Sequence, residues 1–255
     1  MNRLFENEIV IISGGLGDIG RAIAVDFAKN GASIALCDIH PETEADGFLQ
    51  SIKKFGVGAV YSKVDVANAA AVKTWVDAVE KELGIIRFII VNAAVVKPEN
   101  IRTITAEQWS RELRINLDGA FHISQAAVLR LLHHGRSGRV VFIGSWAAHT
   151  VHTTIPAYCV AKAGMRMLCK CLALELAPYD ILVNEVAPGF VDAGLSGRMF
   201  DEDPGLRHSS LHKVPIKKLI GPDDVARQVV LLCDSENRQM TGATVLMDGG
   251  LSLLN

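Results

Sequence analysis

Seven short apolar runs, rich in β-branched residues, constrain the fold of this chain most strongly. Each run has the length of a buried strand, and helix-length segments separate one run from the next. Buried strands that alternate with helices predict an α/β fold: a doubly wound, seven-stranded parallel sheet with helices on both faces. The predicted strands are 9–12, 33–37, 59–64, 88–91, 140–143, 181–186 and 244–247, and the clearest crossover helices are 19–29, 69–83 and 157–176.

One segment breaks this rhythm. Residues 190–219 follow the sixth predicted strand and mix Gly, Pro, Asp, His, Arg and Lys without a clear period. A long irregular segment beyond the carboxyl end of a strand is a candidate lid over a ligand crevice, although a solvated surface loop is the alternative. Since the chain has no internal repeat and no Pro/Ser-rich linker, we expect residues 1–255 to form a single domain.

Charge and composition exclude several classes of partner. The 26 Lys and Arg against 28 Asp and Glu leave a net charge of −2, which argues against a nucleic-acid partner. No apolar run reaches the ~18 residues that a bilayer requires, and the first residues lack the apolar core of a signal peptide. We therefore expect a cytoplasmic protein with no membrane partner. Five scattered Cys without C-x-x-C spacing predict neither disulfides nor a metal site.

A glycine-rich segment follows the first predicted strand. It reads Ser-Gly-Gly-Leu-Gly-Asp-Ile-Gly over residues 13–20 and runs into a predicted helix. Glycines allow a tight turn and a close approach to a pyrophosphate, and the helix N-terminus offers free N–H groups. The segment fits two registers: one places the motif glycines at Gly15, Gly17 and Gly20, and the other uses Gly14 and Gly20 with Asp18 in place of the middle glycine.

An acidic residue ends the second predicted strand. Asp38 lies eighteen residues after Gly20. A carboxylate at this place accepts the ribose hydroxyls of NAD and repels the 2′-phosphate of NADP, so we predict NAD as the cofactor. The alternative is that Asp38 only begins the turn before Pro41.

A tyrosine and a lysine lie four residues apart on the predicted helix 157–176. Tyr158 and Lys162 therefore share one helix face, and a neighbouring ammonium lowers a phenol pKa toward neutral pH. Tyrosine then serves as a general acid or base. The spacing alone is common at protein surfaces, but Ser145 adds a hydroxyl just beyond the carboxyl end of the fifth strand, where α/β sheets bind ligands.

Further motifs accompany these three residues. Ser145 precedes Tyr158 by thirteen residues, and Asn116 lies in Ile-Asn-Leu-Asp-Gly. In this pattern the chain resembles the short-chain dehydrogenase/reductase family over nearly its whole length, which implies a Rossmann-like catalytic domain that binds a dinucleotide. The other matching motifs are Asp65-Val66, Asn92-Ala93, Pro188-Gly189, Thr241-Gly242 and Asp248-Gly249-Gly250.

The resemblance implies a role for each matching residue. Tyr158 exchanges a proton with the substrate oxygen, Ser145 hydrogen-bonds the same oxygen, and Lys162 lowers the pKa of the tyrosine. Asn116 anchors a water that passes the proton onward. Among the implied cofactor contacts, Asp65 and Val66 meet adenine, Asn92 and Ala93 line the ribose, and the backbone of Val191 binds the carboxamide. The other implied cofactor contacts are Gly14, Leu16, Gly17, Asp18, Ile19, Asp38, Tyr158, Lys162, Pro188 and Gly189.

The sequence departs from the family pattern in three segments. Asp18 replaces the usual middle glycine, and we expect its carboxylate to face solvent or a cofactor hydroxyl. The usual Asn-Asn-Ala-Gly reads Val-Asn-Ala-Ala over 91–94, and Ala193 stands where the family often has threonine. The four catalytic positions are intact, which predicts a working enzyme with an altered grip on the cofactor.

The substrate is expected to meet residues near Ser145 and the segment 190–219. Trp146, His149, His152 and Arg198 predict a small polar hydroxylated substrate: a sugar, a polyol or a hydroxy acid. Both histidines also fit ordinary loop positions. The competing predictions are an NADPH-dependent 3-oxoacyl carrier-protein reductase and a catalytically silent nucleotide-sensing protein. The resemblance also implies a homotetramer.

Overall fold

The computed structural model describes residues 3–254, apart from the side chains of Arg198, Met199 and Pro204. Its strands form one parallel sheet of seven in the order β3-β2-β1-β4-β5-β6-β7, which confirms the predicted doubly wound architecture. The strands are β1 (Ile9–Ser13), β2 (Ser33–Asp38), β3 (Ala59–Lys63), β4 (Phe88–Val91), β5 (Gly138–Ile143), β6 (Ile181–Pro188) and β7 (Thr244–Met247).

Helices cover both faces of the sheet and divide the core in two. They are α1 (Asp18–Lys29), α2 (Asp46–Lys53), α3 (Ala69–Leu83), α4 (Ala106–Leu113), α5 (Gly119–His133), α6 (Pro156–Leu176), α7 (Gly194–Glu202), α8 (Pro204–Lys213) and α9 (Pro222–Cys233). One apolar cluster joins the sheet to α3, α5 and α6, and the other joins it to α1, α2 and α9. Every residue of β1, β4, β5 and β6 is buried, as strands covered on both faces must be.

The strand order reverses between β1 and β4, which lie side by side although β2 and β3 intervene in the chain. The chain segments that follow β1 and β4 therefore leave the carboxyl ends of these two strands in opposite directions, and a crevice opens between the two ends. The glycine-rich segment follows β1, Asn92 follows β4, and Ser145 lies two residues beyond β5. The fold brings these predicted site residues to one edge.

A wide turn separates α4 from α5. Thr105 and Gln108 form a reciprocal capping box that starts α4, and residues Arg114–Asp118 then form a π-helical turn before α5. Such turns are rare and often lie at functional sites. Asn116 lies inside this one and is fully buried.

The segment 190–219 is not irregular, so that part of the sequence prediction is wrong. It contains α7 and α8, and the Asp203 side chain caps α8 by accepting hydrogen bonds from the N–H groups of Gly205 and Leu206. The α8 helix carries basic residues on several faces and lacks the apolar stripe by which a helix is recognised in sequence, and α7 has only nine residues. Among residues 3–254, no helix combines the length and apolar character needed to cross a membrane.

Candidate active site

The glycine-rich segment forms a tight turn between β1 and α1. Gly14 has a φ of +64°, and a Cβ on it would lie 2.8 Å from the Cα of Ala93. A Cβ on Gly20 would lie 2.3 Å from the carbonyl oxygen of Gly14, so both positions require glycine. Gly17 precedes the first turn of α1, and no side chain in the described part of the protein caps that turn. Its N–H groups suit a pyrophosphate, so the loop fits a dinucleotide.

Asn92 holds this loop in place. Its Nδ2 donates to the carbonyl oxygens of Ser13 and Gly14, at 3.0 and 2.9 Å. In return, the Ser13 hydroxyl accepts from the N–H groups of Asn92 and Ala93, at 3.0 and 3.2 Å. Four hydrogen bonds therefore join the ends of β1 and β4. The sequence predicted a ribose contact for Asn92 and did not identify Ser13.

Asp38 ends β2 and faces the same loop. Its carboxylate accepts hydrogen bonds from the N–H of Leu16 at 3.1 Å and from that of Ile39 at 2.8 Å. The His40 ring lies between two acids, with Nε2 3.8 Å from Asp38 and Nδ1 3.3 Å from Glu44. The carboxylates leave this rim acidic, which suits ribose hydroxyls and opposes a phosphate.

Asp18 binds a partner that the sequence did not predict. Its Oδ2 accepts a hydrogen bond of 2.7 Å from the N–H of Gly194, the first residue of α7. The side chain is exposed, as expected, but its partner is protein backbone rather than a cofactor hydroxyl. Asp18 thus connects the helix that follows the glycine loop to the start of segment 190–219.

The remaining cofactor positions line the carboxyl edge of the sheet. Asp65 is exposed and accepts from the N–H of Ala67, whereas Val66 is buried. Gly189 follows β6, where a Cβ would lie 2.9 Å from the Cα of Asp248. Val191 is buried and forms an isolated parallel bridge with Ile220. Pro188 is the last residue of β6 and pairs with Met247.

Ser145, Tyr158 and Lys162 come together at the end of β5. Ser145 is buried, and its hydroxyl accepts a hydrogen bond of 3.1 Å from the N–H of Ala147. The Nζ of Lys162 donates to the carbonyl oxygen of Ile143 at 2.8 Å and lies 5.6 Å from the centre of the Tyr158 ring. The predicted proximity of tyrosine and lysine is therefore present.

The direction of the Tyr158 shift differs from the sequence prediction. Burial raises the pKa of Tyr158 to about 12, and hydrogen bonding by the Ser145 hydroxyl offsets only part of that rise. Burial also lowers the pKa of Lys162 to about 8, against an opposing effect of the Glu185 carboxylate. Desolvation disfavours the charged form of both groups. The pKa of Tyr158 is therefore shifted upward, opposite to the effect expected from its lysine neighbour.

The side chain of Asn116 binds the backbone of Val95. Its Oδ1 accepts from the N–H of Val95 at 2.9 Å, and its Nδ2 donates to the carbonyl oxygen of Val95 at 2.8 Å. Glu112, one turn earlier, accepts from the N–H of Lys97 at 3.1 Å. Glu112 is buried, and burial raises its pKa. The side chain of Asn116 is thus committed to shaping the segment after β4, and Glu112 was missed because its partner lies on another element.

An aromatic wall lies beside Ser145. The Trp146 ring contacts those of His152 and Phe190 edge-on, with centroids 4.6 and 5.2 Å apart. His152 Nε2 is buried and lacks a hydrogen-bond partner among the described residues, and burial lowers the pKa of this ring, which favours its neutral form. His149 is exposed. The side chain of Arg198 lies outside the described part of the protein.

Two further residues near the site escaped the sequence analysis. Arg166 and Glu185 form an ion pair behind Ser145, at 2.7 Å between Nε and Oε2. The available signal was Glu185, an acid within the apolar run 181–186. Glu185 is fully buried in the structure, and a buried charge requires a partner.

Proteins similar to this chain match it over nearly its full length. A family model described as enoyl-(acyl carrier protein) reductase matches residues 15–252. The 2,3-dihydro-2,3-dihydroxybenzoate dehydrogenase of Bacillus subtilis (strain 168) is 32% identical over 255 residues, with 97% of each chain covered. The 3-oxoacyl-[acyl-carrier-protein] reductase of Escherichia coli (strain K12) is 29% identical over 250 residues, covering 98% of this chain and 99% of the relative. The crystal structure of an NAD⁺-bound xylitol dehydrogenase matches with a TM-score of 0.91 and 27% identity, covering 96% of this chain and 99% of the other.

Proposed function

Because the chain belongs to the short-chain dehydrogenase/reductase family, we propose that it is an NAD-dependent enzyme that interconverts a secondary alcohol and a ketone. One observation carries this proposal: Ser145, Tyr158 and Lys162 meet at the carboxyl end of β5, beside the crevice that the glycine loop opens. Bound NAD would supply the hydride acceptor. The protein positions the substrate and handles the proton.

Tyr158 is the group that exchanges this proton. In the oxidation direction its oxygen takes the proton of the substrate hydroxyl, and Ser145 donates a hydrogen bond to the same substrate oxygen as its charge changes. Since burial holds the pKa of Tyr158 at about 12, phenolate needs positive charge nearby. Lys162, with a pKa of about 8, is mainly protonated at neutral pH and supplies that charge. Asn116 acts by holding the Val95 backbone.

The choice of NAD over NADP rests on the end of β2. The Asp38 carboxylate is oriented by two backbone N–H groups, and Glu44 lies on the other side of His40. A 2′-phosphate placed here would face these carboxylates. The xylitol dehydrogenase that matches this fold was crystallised with NAD⁺, in agreement with this choice.

We propose a small hydroxylated substrate: a sugar, a polyol or a hydroxy acid. Xylitol and 2,3-dihydro-2,3-dihydroxybenzoate, named for two of the similar proteins, both carry neighbouring hydroxyl groups. The buried Nε2 of His152, beside Trp146, is a polar atom suited to a hydroxyl partner. Segment 190–219 acts in this proposal as the substrate lid, with Phe190 against Trp146 and Asp192 paired with Arg207.

A 3-oxoacyl carrier-protein reductase is the second candidate function. It is favoured by the E. coli relative and by the description of the matching family model, both of which name an acyl carrier protein. This alternative uses NADPH, whose 2′-phosphate would be repelled by the Asp38 carboxylate. A catalytically silent nucleotide sensor is less favoured, since all four catalytic positions are intact.

We further propose that the chain forms a homotetramer. Val160, Met167 and Leu174 lie seven residues apart on α6, and each exposes about half or more of its surface. A second exposed apolar group surrounds β7 and the C-terminal turn, with Leu246, Leu253 and Leu254. Two separate apolar surfaces are what two kinds of two-fold interface would bury. Light scattering after size-exclusion chromatography tests the assembly.

The activity is tested by screening reduction of NAD and of NADP against sugars, polyols, hydroxy acids and cyclic alcohols. We expect turnover with NAD on at least one hydroxylated compound. Tyr158→Phe should abolish it while NAD still binds. Turnover only with NADPH and a 3-oxoacyl thioester would support the second candidate, and retained turnover in Tyr158→Phe would exclude the mechanism.

A further inference from the structure

A buried ion pair lies directly behind the catalytic serine. The guanidinium of Arg166 donates to Glu185 twice, from Nε to Oε2 at 2.7 Å and from Nη2 to Oε1 at 3.1 Å. The Thr244 hydroxyl donates to the same Oε2 at 2.7 Å. Glu185 has no exposed side-chain surface, and Arg166 exposes 11%. These contacts join α6, the middle of β6 and the first residue of β7.

The pair contacts the main chain on both sides of the Gly144–Ser145 peptide. Nη2 of Arg166 also donates to the carbonyl oxygen of Ser145 at 3.2 Å. Glu185 packs so closely on Gly144 that a Cβ there would lie 1.9 Å from Oε1. Two adjacent residues of the active-site strand end are therefore held by two charged side chains. Arg166 follows Lys162 by one helical turn, which places the ammonium and the guanidinium on the same face of α6.

We propose that Arg166 and Glu185 are positioning residues for the dehydrogenase reaction, holding the Ser145 main chain so that its hydroxyl meets the substrate oxygen together with Tyr158. This inference rests on the proposed function, because it assigns the pair a role in that same site. The planar guanidinium fits the role, since its fixed fork can bind a carboxylate and a carbonyl oxygen at the same time.

Fold stability alone explains the pair poorly. Apolar replacement of a buried ion pair often leaves stability unchanged or improves it. Positioning is different, because a reacting group misplaced by ~1 Å can cost ~100-fold in rate. The two roles therefore separate in a variant that removes both charges.

The test compares three variants with the wild type. Arg166→Lys keeps a positive charge but loses the fork. The double variant Arg166→Met/Glu185→Leu removes the pair without leaving a lone charge. Arg130→Lys is the matched control. Arg130 lies on α5, and its Nε also donates to a carboxylate, that of Glu80, at 2.6 Å. For each variant, kcat, KM, NAD affinity and thermal stability are measured.

We expect kcat to fall tenfold or more in Arg166→Lys and in the double variant, with the Kd for NAD within threefold of wild type. Arg130→Lys should keep the wild-type kcat. In a Ser145→Ala background, Arg166→Lys should lower the residual kcat by less than threefold, because the hydroxyl it positions is gone. If the double variant does not fold, the kcat of Arg166→Lys alone tests the inference.

Wild-type kcat in Arg166→Lys would overturn the inference, as would a kcat loss of equal size with and without Ser145. Crystal structures of wild type and Arg166→Lys give a readout that does not depend on turnover. We expect the Ser145 Cα to shift by at least ~0.5 Å, the tolerance of a catalytic group, and an unmoved Ser145 would refute the role. If wild type oxidises no alcohol, the proposed function fails while the crystallographic result still tests the positioning.

Discussion

Substitution of Gly144 is the most direct check of the buried Arg166–Glu185 ion pair. Replacement by alanine adds one methyl group that points into the Glu185 side chain. That methyl carbon would lie 1.9 Å from Oε1 and 2.6 Å from the carboxyl carbon of Glu185. Because carbon atoms pack at ~3.5–4.0 Å, the carboxylate must move by about 1.5 Å or more. A movement of that size breaks its hydrogen bonds to Arg166 and Thr244.

The expected loss follows from the burial of the pair. Breaking a buried ion pair costs ~3–5 kcal/mol, since each charge loses its partner without regaining water. For a chain of this size, each kcal/mol lowers Tm by ~2–4 °C, so Gly144→Ala should unfold about 6–20 °C below wild type. Thermal unfolding followed by far-ultraviolet circular dichroism, at one protein concentration, measures the difference.

Two controls identify the cause. Gly47 lies in α2 with no atom within 4 Å of a Cβ, so Gly47→Ala should leave Tm unchanged or raise it slightly. In the double variant Arg166→Met/Glu185→Ala, which lacks the obstructing carboxylate, adding Gly144→Ala should cost less than ~1 kcal/mol. A Tm loss below ~3 °C for Gly144→Ala in the wild-type background would refute the reasoning.

Three further predictions concern the cofactor and the charged groups. Asp38→Asn should weaken NAD binding by about 5–30-fold, the difference between charged and neutral hydrogen bonds, and strengthen NADP binding in the same fluorescence titration; unchanged preference would exclude Asp38 as the selector. The pKa of Lys162 is about 8 in the folded chain against ~10.4 unfolded, so this group binds more protons in the unfolded state between these values, and the free energy of unfolding of wild type minus that of Lys162→Met should rise with pH from 8 to 10, by at most ~1.4 kcal/mol per pH unit. Urea unfolding of both proteins measures this difference, and an equal pH dependence in the two would contradict the burial of this charge. Asp18→Gly should change the Kd for NAD less than tenfold, because the carboxylate binds the Gly194 N–H, and a tenfold gain would mean that it opposes the pyrophosphate instead.

The architecture was readable from sequence because its signal is local. Apolar runs bounded by polar turns mark strands buried on both faces, and the seven predicted runs overlap the seven strands. The ends moved by one or two residues: β5 begins at Gly138, where Arg139 pairs with Phe88 in the sheet, and β6 continues to Pro188 through its pairing with β7. The α7 and α8 helices escaped because their starts depend on caps and distant contacts rather than on an apolar stripe.

The site was readable only where its residues form a spaced motif. Ser145, Tyr158 and Lys162 were found because their intervals in the chain are short. Asp18 and Gly194 are 176 residues apart in sequence, and the local sequence around neither residue predicts their hydrogen bond. The pKa of Tyr158 was misjudged for a related reason, since its burial is produced by several elements that pack together only in the fold.

The π-helical turn at Arg114–Asp118 determines where the helical segment from α4 to α5 can change in length. Such a turn is equivalent to one residue inserted into a regular helix. Deleting one residue inside this turn would restore α-helical winding and leave Glu112 and the buried face of α5 around Ile123 in nearly their present orientations, because the wide turn is what accommodates the extra residue. Deleting one residue from the regular winding of α4 or α5 would instead rotate the two ends of the helical segment against each other by ~100°. We therefore expect the π-helical turn and the loops of this protein to accept a one-residue change in length far more readily than the regular turns of α4 and α5.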